Sequence, residues 1–568
     1  MEDARGKGAR GREARGQGGE GYMRKTLVLS LDSGCWEYLD PLLAAGRMPN
    51  IARLIEQGAR GVLESTMPPI TPVAFSSFIT GVNPGKHGVF DWSVRREDGE
   101  RRMVNATTLK SAPFWTHLNR EGVRVGLFNV PVTYPPRPLD GFIVPGIPVP
   151  RSARRFTYPT EALNRMEDRF GPYRVDVDRA LLDKGIETYV QAWIEYEARQ
   201  TEAAMMLTEA YEVDLLVFNY AALDRVNHFA PEMEYIERVL VNTDVQIGRW
   251  MEQYPEANFV LMSDHGSRRV RAAFLLGPWL VQHGYAAYGE CSLDISPCET
   301  NFALSRYLRA RGMWGMKERF VRGLLRLLLW GAPAPLRRRF WEAAYRSAPD
   351  ALGYRFTERL DWARTKIFAT SNSGPLLINT GLGNGRGPVG PEEYEAVREA
   401  LIRDLLAVRD PQGRPIFSRV YRREEIYRGP ALAGGPDVVA DHYDSDCDIV
   451  VDNKPGLFCF VDRLNRFGDH TRRGILVVSG PDFVRRPSSD LVQTSILDLP
   501  ATLLHLYGTP VPQQWDGQVL RDLLVPSLAE RETIRADAVA LEAEAPDEGY
   551  SVDEEAQVIE HLQDLGYL

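Results

Sequence analysis

The chain has nine histidines among its 568 residues, so the company each one keeps is informative. Three stand beside other potential ligands: "LDRVNH" carries Asp224 and His228, "SDHG" carries Asp264 and His265, and "GDH" carries His470. With Asp32, which closes the apolar run "KTLVLSLD", they make three carboxylates and three imidazoles. Nitrogen and oxygen donors without thiolate suit two borderline divalent ions, Zn2+ first and Mn2+ second, rather than Ca2+, which prefers oxygen alone. Each piece alone has an ordinary structural reading: a strand-terminal Asp as an N-cap, or Asp224 and His228, four apart, as a helix-face pair. Their conjunction points to a metal centre.

A hydroxyl is the second chemical feature. In "MPPITPVAFSSFITGVNPGKHGVFDW" (67–92), Thr71 precedes Pro72 and a run of helical character. Ser or Thr before Pro reads as a helix start, with Thr71 the N-cap and Pro72 the N1 residue whose missing N–H costs nothing. A helix N-terminus also gathers unpaired N–H groups and the positive end of the macrodipole, which favours phosphate. Thr71 is therefore a cap or, if its pKa is lowered, a nucleophile.

The elements that would position these groups are legible as short apolar runs ending in polar residues: "KTLVLSLD" (25–32), "VRVGLFNVP" (123–131), "VDLLVFNY" (213–220), "NFVLMSDHG" (258–266) and "GILVVSGP" (474–481). Such runs fit buried parallel strands, and intervening segments such as "PNIARLIEQGA" and "TEAAMMLTEAYE" have helical periodicity. The class is α/β. Ligands of open α/β sheets gather beyond the carboxyl ends of the strands, where Asp32, Asn219 and Asp264-His265 fall. The core is expected over 24–285 and 430–525. Residues 286–429 read as an insertion or cap, although "TKIFATSNSGPLLINT" (365–380) could return to the core sheet. Residues 526–568 read as an acidic tail ending in an amphipathic helix. Residues 1–23, biased to Gly and Arg, read as a disordered extension, or as sequence upstream of a true start at Met23. No internal repeat is found.

Composition narrows the partners. A formal net charge of −9 argues against nucleic-acid binding. Five cysteines without a CxxC pair suggest neither a zinc-thiolate site nor a disulfide framework, and imply a reducing, cytoplasmic setting. No apolar run approaches the ~20 residues that span a bilayer. The segment "RFVRGLLRLLLWGAPAPLRRRF" (319–340) reads as a cap helix with solvated arginines or, more sharply, as an interfacial helix on anionic lipid.

In "LVLSLDSGCW", "PPITPVAFSSFITGVNPGKHGVFDW", "ALDRVNHFAP", "FVLMSDHGS", "GDHTRRGILVVSGPDF" and "VQTSILDLPATLLHLYGTPVP" the chain resembles the alkaline phosphatase superfamily, in its type I phosphodiesterase/nucleotide pyrophosphatase branch. The resemblance implies a three-layer α/β/α core with a mainly parallel sheet and an inserted cap. It also implies one metal held by Asp224, His228 and His470, and a second held by Asp32, Asp264, His265 and the Thr71 oxygen. Thr71 would then attack phosphorus and form a phospho-threonine. Ala74 departs from the family, which usually has Asn three residues after the Thr to hold a phosphate oxygen. Backbone N–H groups near Thr71, Asn83 or Lys86 could replace that donor, unless Lys86 and His87 organise the loop. "ITPVAF" lacks the C/S-x-P-x-R motif of sulfatases. The expected function is a phosphodiesterase acting on a small phosphate ester or a lipid headgroup. The alternatives are a phosphomonoesterase or phosphotransferase, and, in another class, a non-catalytic binder of a phosphorylated ligand.

Overall fold

A computed structural model describes residues 24–95, 101–289, 360–369, 371–381, 387–451, 456–461, 466–537, 549–565 and 567, with short pieces between 304 and 340. Eight strands form the central sheet: β1 (Thr26–Leu31), β2 (Ala59–Glu64), β3 (Val125–Val130), β4 (Gly141–Pro145), β5 (Leu215–Tyr220), β6 (Asn258–Met262), β7 (Arg473–Ser479) and β8 (Val492–Ser495). Their order across the sheet is β8-β2-β7-β6-β1-β5-β3-β4. β1, β3, β5 and β6 are buried along their whole length, as expected of parallel strands covered on both faces. Successive side chains serve opposite faces: Leu27, Leu29 and Leu31 join one hydrophobic cluster, while Val28 joins the other. The first cluster includes residues of the helices Ile186–Ala210 and Met233–Gln253, and the second those of Thr71–Thr80 and Asp498–Leu506. The result is the expected three-layer α/β/α core.

One expectation needs correction, and one alternative is closed. β7, read as one more parallel strand, runs antiparallel to both β2 and β6; an apolar run marks burial but carries no direction. Residues 367–369 and 375–378 do not enter the central sheet but pair in a four-stranded sheet with 419–422 and 438–441. That sheet has its own core around Phe368, Leu376, Leu401 and Val438. The strands Gly266–Arg269 and Gly468–Thr471 pair antiparallel and place His470 opposite Ser267, which joins two distant stretches of chain at the sheet's carboxyl edge.

The expected extension at 1–23 lies outside the described residues, as does most of 290–359. A helix, Gly315–Trp330, overlaps the stretch 319–340, and Phe320, Leu324, Leu327 and Leu328 on it are exposed. The expected terminal helix spans Val552–Asp564. Among the described residues no helix is long and apolar enough to cross a membrane.

Candidate active site

All seven residues singled out in the sequence are buried at the carboxyl ends of β1, β5 and β6, in two hydrogen-bond and ion-pair sets that meet where the ring centroids of His265 and His470 stand 4.0 Å apart. Asp32 follows β1, where its N–H bonds to the Tyr220 carbonyl of β5 at 3.0 Å. Asp264 and His265 follow β6 by two and three residues. Helix α1 (Thr71–Thr80) brings Thr71, and helix α2 (Ala222–Phe229), which starts just beyond β5, brings Asp224 and His228 onto one face.

Thr71 is not the cap that its place before Pro72 suggests. Ile70, with extended φ −121° and ψ 148°, is the N-cap, and Thr71 is the first helical residue. The Ile70 carbonyl accepts the N–H groups of Val73 and Ala74 at 3.0 Å each. Proline is tolerated throughout the first turn, so Pro72 fits one position further in. The Thr71 hydroxyl is thereby left to the cluster, where Oγ1 lies 3.3 Å from His265 Nε2. The same nitrogen lies 3.1 Å from Asp264 Oδ2 and 3.7 Å from Asp32 Oδ1.

The other half of the cluster converges on Asp224 Oδ1, which lies 3.4 Å from His228 Nε2 and 3.2 Å from His470 Nε2. His228 Nδ1 donates to the Gly468 carbonyl at 2.9 Å, which turns its Nε2 towards Asp224. The close approach of strand 468–471 requires that glycine: a Cβ on Gly468 would sit 2.4 Å from the Asn227 carbonyl oxygen. Two ligand groups are compact enough to hold an ion, Asp224–His228–His470 and Asp32–Asp224–His265. Asp224 is common to both, a placement that its local motif does not reveal.

The charge arrangement is unfavourable without cations. Burial, then Asp264 and Asp224, push Asp32 well above the usual carboxylate range; burial and Asp224 push Asp264 up to about 8. Burial also opposes charge on Asp224, but His228, His470 and Arg225 hold it well below that range. Burial and the neighbouring His470 push His265 down to about 4, so it is a neutral imidazole at pH 7 with a lone pair to offer. Asp32 Oδ1, both oxygens of Asp264 and His228 Nε2 have no hydrogen-bond partner among the described residues. Buried carboxylates left in this state are costly unless paired or coordinated, and N/O donors fit a divalent cation.

Several contributors carry no local signal. Ser33, at φ 71°, turns its hydroxyl onto Asp224 Oδ1 at 2.7 Å. Arg225 Nη1 donates to Asp224 Oδ2 at 2.5 Å, and the Tyr567 hydroxyl donates to the same oxygen. Asn219, which the sequence places at a strand end, donates to Asp32 Oδ2 at 3.2 Å. The proposed substitute donors lie in a separate network. Asn83 and Lys86 bond to Asp516, and His87 bonds to Ser77 Oγ at 2.9 Å and accepts the Val89 N–H. They organise the loop.

A second buried group, His442, Asp448 and Asp469, also has donor atoms close enough for an ion. Arg268 lies 2.9 Å from Asp469 Oδ2, and Arg466 lies 2.8 Å from its Oδ1 and 3.6 Å from Asp448.

The sequence profile of the type I phosphodiesterase / nucleotide pyrophosphatase family matches residues 26–471. No curated protein matches the chain. Among solved structures, human ectonucleotide pyrophosphatase/phosphodiesterase 5 is similar at 14% identity and a TM-score of 0.46, over 88% of this chain and 100% of that one. The murine protein of the same name, as an inactive variant in complex with AMP, is similar at 14% identity and a TM-score of 0.47, over the same shares.

Proposed function

We infer the chemistry of the site from one premise: the chain belongs to the type I phosphodiesterase/nucleotide pyrophosphatase family and is a phosphodiester hydrolase. Within that class we propose that Thr71 is the nucleophile. Asp224, His228 and His470 hold one divalent ion and Asp32, Asp264 and His265 the other, with Zn2+ the first candidate. The unpartnered buried oxygens of Asp32 and Asp264 and the neutral His265 support this donor set. When bound, two such ions supply positive charge that polarises the phosphoryl group and offsets charge on the entering and leaving oxygens.

The chain's own groups do the rest. Thr71 Oγ1, 3.3 Å from His265 Nε2, stands beside the donor set, and the first turn of α1 directs its dipole at the phosphoryl oxygens. Thr71 Oγ1 gives up its proton and bonds to phosphorus as the bond to the leaving alcohol breaks, and the departing oxygen takes up one proton, so that the half-reaction balances. Water then attacks phosphorus, the Oγ1–P bond breaks, and the threonine hydroxyl is restored. Ala74 is buried on α1 and offers no side-chain donor, so the substrate is read by contacts other than that expected from nucleotide pyrophosphatases. The observation that carries this reading is the Thr71 hydroxyl, released from capping and held 3.3 Å from His265 Nε2 beside three buried carboxylates.

Thr71→Ala tests it with bis-p-nitrophenyl phosphate and p-nitrophenyl phosphate as substrates. Turnover should fall by orders of magnitude while metal content and melting temperature stay near wild type, because no capping bond is lost. Thr71→Ser should recover much of the rate. A folded, metal-loaded Thr71→Ala enzyme of near wild-type activity would remove Thr71 from the mechanism.

We also propose peripheral contact with anionic membranes through the helix Gly315–Trp330, supported by the exposure of Phe320, Leu324, Leu327 and Leu328 together with Arg326. Sedimentation with anionic vesicles should be salt-sensitive. Equal recovery with neutral vesicles would sink this contact.

A further inference from the structure

We propose that Tyr567 is a positioning residue for Asp224, which makes the last helix part of the active site. The inference rests on the reading that Asp224, His228 and His470 hold a cation. The first observation is how firmly this segment is docked. Helix α3 (Val552–Asp564) begins with a capping box between Ser551 and Glu554, and Val558, Leu562 and Leu565 are buried in the same hydrophobic cluster as Val73 and Phe78 of α1. Glu555 pairs with Arg102 at 2.8 Å and accepts the Met103 N–H at 2.7 Å. Just before the helix, Tyr550 stacks on Tyr134 and donates to the Pro148 carbonyl at 2.9 Å. On its inner side His561 Nε2 lies 3.3 Å from Asp176 Oδ2, which lies at the same distance from Arg225 Nε.

This docking delivers Tyr567 to the cluster, where it is 4% exposed. Its ring stacks on Trp92 with centroids 4.8 Å apart and stands 5.4 Å from the ring of His228. Its hydroxyl donates to Asp224 Oδ2, the oxygen that Arg225 also holds. The two oxygens of the carboxylate are thereby divided: Oδ2 is fixed by Tyr567 and Arg225, and Oδ1 accepts the Ser33 hydroxyl and faces His228 and His470. A coordinating carboxylate anchored through its second oxygen keeps its direction when the ion leaves, and loss of such an outer partner typically costs about 10–100-fold in metal affinity or activity. Tyr567 also walls a cavity of about 10 Å3 beside Ile70, Arg466 and His470, space for roughly one water.

The test uses the full chain stripped of metal and titrated with Zn2+ against a chromogenic chelator. Tyr567→Phe keeps the ring on Trp92 and removes only the hydroxyl. It should weaken at least one of two binding events by about 10–100-fold and, at saturating Zn2+, keep KM for bis-p-nitrophenyl phosphate near wild type. Truncation after Gly566 should weaken the same event at least as much, which covers the case of a poorly folding point variant. Wild-type affinity for both ions in Tyr567→Phe would overturn the proposal, even if the truncation were impaired, because the ring rather than the hydroxyl would then be acting. A wild-type chain that takes up no ion would overturn the metal reading itself and this proposal with it.

Discussion

Asp469 and His470 are neighbours on one short strand, and because successive strand side chains point to opposite faces they serve two different buried clusters. His470 joins Asp224 and His228, while Asp469 joins His442 and Asp448. The residue types are the same; the charge balance is opposite. In the first cluster, among the described residues, three buried carboxylates have one arginine in ion-pair contact, Arg225, and oxygens of Asp32 and Asp264 have no donor. In the second, two carboxylates are met by Arg268 and Arg466. Burial opposes charge on His442 there, yet Asp448 and Asp469 raise it above the ordinary imidazole value. Ligand types alone therefore do not define a cation site. What separates the two is whether the protein has already supplied the positive charge, and by that criterion the first cluster is the one we propose for metal.

The sharpest way to break this contrast is through activity. Asp264→Ala should cost about 10^2–10^4-fold in kcat/KM, since metal-centred charge stabilisation is worth several kcal/mol. Asp448→Asn should leave both metal content and rate close to wild type. Comparable losses from the two variants, measured on the same diester, would erase the distinction.

Stability should respond in the reverse sense. Arg268→Met leaves Asp469 with one guanidinium fewer in a buried setting, and removing one partner of a buried pair typically costs about 3–5 kcal/mol. Denaturant unfolding of the metal-free protein should show that loss, with zinc uptake preserved. An unaffected midpoint would mean that the second cluster is not held by its arginines.

A smaller effect comes from a third treatment of a buried acid. Glu197 is 1% exposed, and its Oε2 accepts only neutral donors, Asn242 at 2.9 Å and Thr243 at 3.0 Å. Burial pushes it up to about 7, against the lowering effect of those bonds. The folded state thus binds a proton that the unfolded state releases near pH 4.5, so this contribution is complete below that pH and is lost as pH rises towards 7. Glu197→Gln should flatten the fall in melting temperature between pH 5 and 8. A slope identical to wild type would show that Glu197 is not its source.

The burial and clustering of the seven residues singled out were foreshadowed by short motifs: Asp32, Asp264 and His265 just beyond strand ends, Thr71 and Asp224 in the first turn of a helix. Four strands of the sheet carried the same kind of signal with the correct orientation. β7 did not, because its direction is set by the return of the chain from the strand 468–471. β2, "ARGVLE", has charged residues at both ends of a short apolar stretch and offers little to recognise. Ser33 acts through a left-handed backbone and Gly468 through its carbonyl, neither of which is written in a side-chain pattern. Tyr567 meets Asp224 across 343 positions of chain, a contact that exists only once the last helix is docked. Thr71 shows a finer limit: the Thr-Pro pair gave the right helix start, but a shift of one residue in the cap decides whether the hydroxyl is consumed by the backbone or left for chemistry.

The most direct test is a count of divalent ions by elemental analysis after stripping, reconstitution with Zn2+ and desalting. Wild type, Thr71→Ala and His442→Ala should each retain two ions per chain, and His470→Ala should retain about half as much. A wild-type chain without bound metal, or equal losses from His442→Ala and His470→Ala, would contradict a two-ion centre confined to the first cluster.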